Sequence, residues 1–135
     1  MKLKLSHLAL AAIMSLGVGA SVSGAPLPNL LDTLERGLWQ FRTPGGGPSS
    51  AGVTQVCLGD PIKLTQIRHG DAACTRFVVK STPDVITVSY SCKGLGQGLT
   101  TIRKESGKII HIQSQGIQNS SPFSFSVEGR RSGTC

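Results

Sequence analysis

Apolar and polar side chains alternate with a period of two over much of the second half of the chain. Ile86, Val88 and Tyr90 share one face of a stretch, and Thr87, Ser89 and Ser91 share the other. Ile110 and Ile112 point one way, Ile109 and His111 the other. Phe123, Phe125 and Val127 alternate with Ser124, Ser126 and Glu128. Successive side chains of an extended strand point to opposite faces, so this pattern predicts half-buried antiparallel strands. Turn residues separate them. Ser81-Thr82-Pro83-Asp84 lies between strands expected at 77–80 and 85–90, where Pro83 presets φ and Asp84 can cap the turn. Ser106-Gly107 lies between strands at 99–104 and 108–113. Residues 94–98, rich in glycine, are expected to be a loop.

Upstream, Trp39 and Phe41 share a face of a strand at 38–42. Residues 43–52 are Pro, Gly and Ser in nearly every place and predict a loop. A second strand at 53–58 carries Cys57. Two helical signals are short. Asn29 can cap a turn that places Leu30, Leu31 and Leu34 at helical spacing, with Gly37 ending it. Asp60 is a good N-cap, Pro61 suits the first helical position, and Leu64 and Ile67 are spaced to share a face. Arg68 and His69 then complement a helix C-terminus, and Gly70 suits its closing position. A helix of about two turns is not stable alone and must pack on the sheet. The predicted fold is mainly β: an antiparallel meander of six or seven strands curling into a small barrel or half-barrel, with one short inserted helix.

The only long apolar run, at 8–20, follows Lys2 and Lys4 and precedes the small residues Ala20, Ser21, Ser23, Gly24 and Ala25. Basic start, apolar centre and small-residue end are the marks of a signal peptide. We read 1–24 as that signal, cut after about Ala20 or Gly24. Residues 25–36 are a lead-in and 37–135 the folded domain. No twin-arginine pair precedes the run, so the general secretion route to the periplasm or the exterior is expected. The 135 residues carry 14 basic and seven acidic side chains. Without Lys2 and Lys4 the balance is twelve to seven, or +5. That charge allows a weak attraction to anionic membrane surfaces. The basic residues are scattered and aromatics do not interleave with them, so no nucleic-acid platform is visible.

An exported chain meets an oxidising compartment, and its four cysteines, Cys57, Cys74, Cys92 and Cys135, are expected to form two disulfides. Their spacings of 17, 18 and 43 contain no C-x-x-C pair of the kind structural zinc sites use. Four cysteines allow three pairings. Folding the hairpin about 81–84 brings Cys74 opposite Ser91 or Cys92. This favours Cys74–Cys92 and leaves Cys57–Cys135 to pin the C-terminus, the other pairings remaining open.

Catalytic groupings are scarce. His69-Gly70-Asp71 offers two metal ligands or a base with its orienter, but no third ligand is identifiable. A helix end followed by turn residues is the simpler account. His111, in a strand between isoleucines, reads as a partly exposed or hydrogen-bonded histidine. No G-x-S-x-G accompanies the many serines, and the seven acids are widely spread. Gly94-Leu95-Gly96-Gln97-Gly98 superficially resembles a phosphate-binding loop, but lacks the Lys-Ser/Thr ending and the following helix. No metal, cofactor or catalytic residue is therefore assigned.

Gly37-Leu38-Trp39, Val56-Cys57-Leu58, Cys74, Cys92 and the terminal Gly129-Arg130-Arg131-Ser132-Gly133-Thr134-Cys135 together resemble the exported proteobacterial family known as domain of unknown function 3617. The resemblance covers about residues 35–135. Gln66-Ile67-Arg68-His69-Gly70 and Arg76-Phe77-Val78-Val79 look closest to its sphingomonad-type branch. The chain departs from many members in lacking a long Met- and Pro-rich insertion between the tryptophan and the first cysteine. The resemblance implies export and four half-cystines, and no activity, cofactor or catalytic residue.

The expected role is thus a non-enzymatic binding or structural domain outside the cytoplasm. Three alternatives remain. One is a small carrier of an apolar ligand, with a cavity of about 300–1,000 Å³ lined by residues such as Trp39, Phe77, Ile86 and Phe125. Another is a hydrolase using His69 or His111. The third is a partner-binding protein with an exposed sheet edge.

Overall fold

The computed structural model describes residues 29–44 and 53–135. The expected signal at 1–24 with its cleavage points, the start of the lead-in, and residues 45–52 of the expected loop lie outside the described residues.

Among the described residues, seven strands form one antiparallel sheet. They are β1 (Gly37–Arg42), β2 (Thr54–Leu58), β3 (Cys74–Ser81), β4 (Val85–Cys92), β5 (Gly96–Ser106), β6 (Ile109–Gln118) and β7 (Ser121–Gly133). Their order across the sheet is β2-β1-β7-β6-β5-β4-β3. Strands β3 to β7 are the expected meander, each pairing with the next. Strand β1 then adds to the far side of β7, and β2 to β1. The sheet stays open, with β2 and β3 as its edges, in keeping with a half-barrel.

The period-two pattern fixes which side faces inward. Ile86 pairs with Ile102, Ile102 with Ile112, and Ile112 with Val127, so one apolar row crosses four strands. Trp39, Val88, Ile102, Ile110 and Ile112 are fully or almost fully buried on this face. Leu30, Leu31 and Leu34 of the lead-in pack into the same core. The lead-in turn η1 (Leu30–Thr33) is held by Asn29, whose side chain accepts from Leu31 N at 2.9 Å and Asp32 N at 3.3 Å. The Asp32 carboxylate accepts from Asn29 N in return. This reciprocal cap satisfies backbone donors that a single turn leaves free.

The cysteine sulfurs stand in two pairs at disulfide distance. Cys74 and Cys92 occupy facing positions of β3 and β4, and Cys57 on edge strand β2 meets Cys135. Two such pairs fit an oxidising environment. Among the described residues no helix is long and apolar enough to cross a membrane.

Three local expectations are corrected. The segment η2 (Pro61–His69) starts as expected, with Asp60 accepting from Ile62 N at 3.0 Å and Pro61 at the first position. It winds as 3₁₀ turns and is interrupted at Gln66 (φ −135°, ψ 34°). The break separates Leu64, which is buried, from Ile67, which is 39% exposed, so the expected shared face is lost. Gly37 does not end a helix. It opens β1 with φ +135°, where a Cβ would run into the Gly133 carbonyl. Residues 96–98 are the first residues of β5 rather than loop, the turn being confined to the residues just before them. The Tyr90 ring lies against Gly98, and a Cβ there would come within 2.5–2.7 Å of its hydroxyl and ring atoms. The glycine needed for that close approach is what made the stretch look like a loop.

Candidate functional site

Seven strands at about 4.8 Å spacing make a sheet about 30 Å across, whereas one helix covers about 10 Å. Here η2 packs on β4, β5 and β6, and η1 on β4. Among the described residues, the inner face of β2, β1 and β7 is left without a full roof. A groove of about 550 Å³ runs between that face and η2. Its apolar lining comes from Phe41 on β1, Val56 and Leu58 on β2, Leu64 and Ile67 on η2, and Phe125 and Val127 on β7. The volume falls within the range of about 300–1,000 Å³ usual for small-molecule sites.

Charged groups border the groove at Asp60, Lys63, Arg68 and Asp71. The Lys63 ammonium forms an ion pair with the Asp71 carboxylate. That hydrogen bond and charge hold Asp71 below the usual carboxylate range. Asp60 is occupied as the cap of η2. The Arg68 guanidinium carbon sits 5.8 Å from the centroid of the Phe123 ring, a cation–π arrangement. Phe123 stacks in turn on Phe125, with centroids 6.1 Å apart.

Of the four residues expected to line a carrier cavity, only Phe125 does so. Trp39 and Ile86 are packed solidly in the core. Phe77 is 72% exposed, because Arg76 rather than Phe77 pairs with inward-facing Tyr90. Sequence reasoning missed Phe41, Val56, Leu58, Leu64 and Ile67 as lining. Val56 and Leu58 alternate with Cys57, a legible signal, but which strand they pair with is not written locally.

The other predicted site residues are placed elsewhere. His69 is buried. Its Nδ1 lies 3.0 Å from the Tyr90 hydroxyl and its Nε2 3.3 Å from the Leu95 carbonyl oxygen. A carbonyl only accepts, so in the neutral ring Nε2 carries the proton and Nδ1 accepts from Tyr90. Burial pushes the Tyr90 hydroxyl pKa up, opposed by its hydrogen-bonding neighbour Ser114. Ser114 and Thr100 hydroxyls lie 2.8 Å apart beneath it. Gln66, at the break in η2, donates to the Gly70 and Ala72 carbonyls at 2.8 Å each and accepts from Arg76. These contacts give the interior polar side chains partners: His69 and Gln66 fasten η2 to β4 and β3, and Thr100 with Ser114 links β5 to β6. Among the described residues no buried side-chain polar atom lacks a partner.

Asp71 points to Lys63, so His69 and Asp71 are not brought together. His111 does meet a carboxylate, with Nε2 2.7 Å from Glu105 Oε1, on the outer face of the sheet and away from the groove. No serine hydroxyl hydrogen-bonds either imidazole among the described residues. Nor is any group of three His, Cys, Asp or Glu there placed to hold a metal. No family model, no curated protein and no solved structure matches this chain.

Proposed function

We propose that this chain is an exported binding domain of the domain of unknown function 3617 type, and that its groove holds an apolar ligand. The basic, apolar and small-residue order of the first two dozen residues and the paired cysteines support export to the periplasm or exterior. The groove carries the functional reading. It offers a continuous apolar wall from three strands and η2, beside the hydrophobic core. Burying hydrocarbon against such a wall is favourable by about 25 cal/mol per Å². Binding is favoured over hydrolysis because neither histidine faces the groove.

The test uses a neutral fluorescent probe, N-phenyl-1-naphthylamine, with the folded, oxidised protein. The probe should brighten on binding, and Val56→Asp or Ile67→Asp should abolish the signal. Both positions are 39% exposed, so either charge can remain solvated without unfolding the domain. Absence of probe binding by the parent protein, or its survival in both folded variants, would refute the groove. Native mass spectrometry of the product from its own host tests export. It should show the mass lost with a cut near Ala20 or Gly24 and four fewer hydrogens than the reduced chain.

A further inference from the structure

We infer that the ligand of the groove is a single acyl chain ending in an anion, a carboxylate or a phosphate monoester, and that Arg68 receives the anionic head. This rests on the reading of the groove as an apolar site and adds the chemistry of the other end of its occupant.

The charges around the groove are not equivalent. Lys63 and Asp71 neutralise each other, and the Asp60 carboxylate is engaged by the backbone of η2. Of the two cations, Arg68 is the one without a side-chain counter-ion among the described residues. Its position is nevertheless built. Its backbone carbonyl accepts from Gln118 Nε2 at 2.8 Å, and its guanidinium lies against the Phe123 ring. A cation stacked in this way keeps its N–H edge free, and that edge matches a carboxylate or phosphate with two parallel hydrogen bonds. The same side chain borders the hydrocarbon wall at Ile67 and Phe125. An apolar wall with one uncompensated cation at its rim is complementary to an amphiphile with one chain and one negative charge.

Competition against N-phenyl-1-naphthylamine tests this with tetradecanoate, tetradecyl phosphate and tetradecan-1-ol. One or both anions should bind about tenfold more tightly than the alcohol, as a partly solvated charge-assisted pair allows. Whichever anion binds more tightly identifies the head group. Arg68→Gln should erase the preference while leaving the alcohol's affinity within about twofold of its starting value. The double variant Lys63→Gln/Asp71→Asn, which removes the neutral pair together, should leave the preference in place. Shortening the chain should weaken binding about fourfold per methylene. Equal binding of alcohol and anions, or a preference that survives Arg68→Gln, would overturn the assignment of Arg68 and leave the apolar groove standing. Loss of the preference in the Lys63→Gln/Asp71→Asn variant would overturn it equally. Failure of all three compounds to displace the probe would remove this inference, and failure of the probe itself to bind would remove the groove with it.

Discussion

Cys74 and Cys92 stand directly opposite one another on β3 and β4, with Cα atoms 4.1 Å apart, whereas Cys57 and Cys135 join residues 78 positions apart. The first bridge closes a short hairpin that its own turn already brings together. The second ties the end of the chain to an edge strand that has a partner on one side only. In the loop-entropy description the short loop contributes about 3 kcal/mol and the long one about 4.5 kcal/mol. Replacing Cys57 and Cys135 together by serine should therefore lower unfolding stability more than the same change at Cys74 and Cys92. Urea titrations of the two double variants measure the difference. A larger loss from the hairpin pair would show that strain or residual structure in the unfolded chain, rather than loop length, governs the effect.

Trp39 joins the lead-in to the sheet. Its ring is fully buried and its Nε1–H donates to the Glu35 carbonyl at 2.9 Å. Trp39→Ala should cost about 3–5 kcal/mol, by cavity formation and loss of transfer energy. Trp39→Phe keeps most of the volume and should cost less, about 1–2 kcal/mol, mainly through the unpaired carbonyl. As the single tryptophan of the chain, Trp39 also reports the result. Its emission in the folded protein should be blue-shifted and should move to the red in the same urea transition that circular dichroism follows.

The strands were legible because their inward residues repeat every second position, as at Ile86, Val88 and Tyr90. The hairpin through 81–84 was legible because Pro83 and Asp84 mark a turn, and it led to Cys74 facing Cys92. What was hidden depends on partners distant in sequence. The pairing of β1 with β7 sets Phe41 opposite Gly129, whose missing side chain leaves room for the ring, and no local pattern announces it. The two-residue turn between β6 and β7 uses Asn119 and Ser120 with φ of 48° and 66°, and serine is a weak signal for that conformation. The break at Gln66 arises from hydrogen bonds to Gly70, Ala72 and Arg76, which only the folded chain assembles. The groove itself is a matter of width, since a short η2 cannot cover seven strands.

Tyr90 gives the domain an alkaline limit. Burial raises its pKa above the ordinary value of 10.0, so the folded state holds the phenolic proton more tightly than the unfolded chain does. Its contribution is therefore fully present below about pH 10. It is lost progressively as pH rises towards the folded-state pKa, because only the unfolded chain gains from ionising in that window. Stability measured by urea between pH 9 and pH 11 should fall with rising pH. Tyr90→Phe should flatten that fall while lowering stability at pH 7, where its hydrogen bond to His69 is lost. An unchanged slope in the variant would assign the alkaline limit to another group.

Gly98 and Tyr90 are paired across β4 and β5, and the ring occupies the space a side chain at 98 would need. Gly98→Ala alone should destabilise the domain by about 1–3 kcal/mol, because the ring is held from the other side by His69 and must be displaced. Tyr90→Ala alone should cost about 3–5 kcal/mol through the cavity it leaves. Once the ring is gone, the three atoms nearest to a Cβ at 98 are gone with it, and in a strand alanine is favoured over glycine by about 0.5–1 kcal/mol. The double variant should accordingly be no less stable than Tyr90→Ala, which gives a coupling of about 1–3 kcal/mol between the two sites. Additive losses in the cycle would mean that Gly98 is required by the backbone itself and not by the ring lying on it.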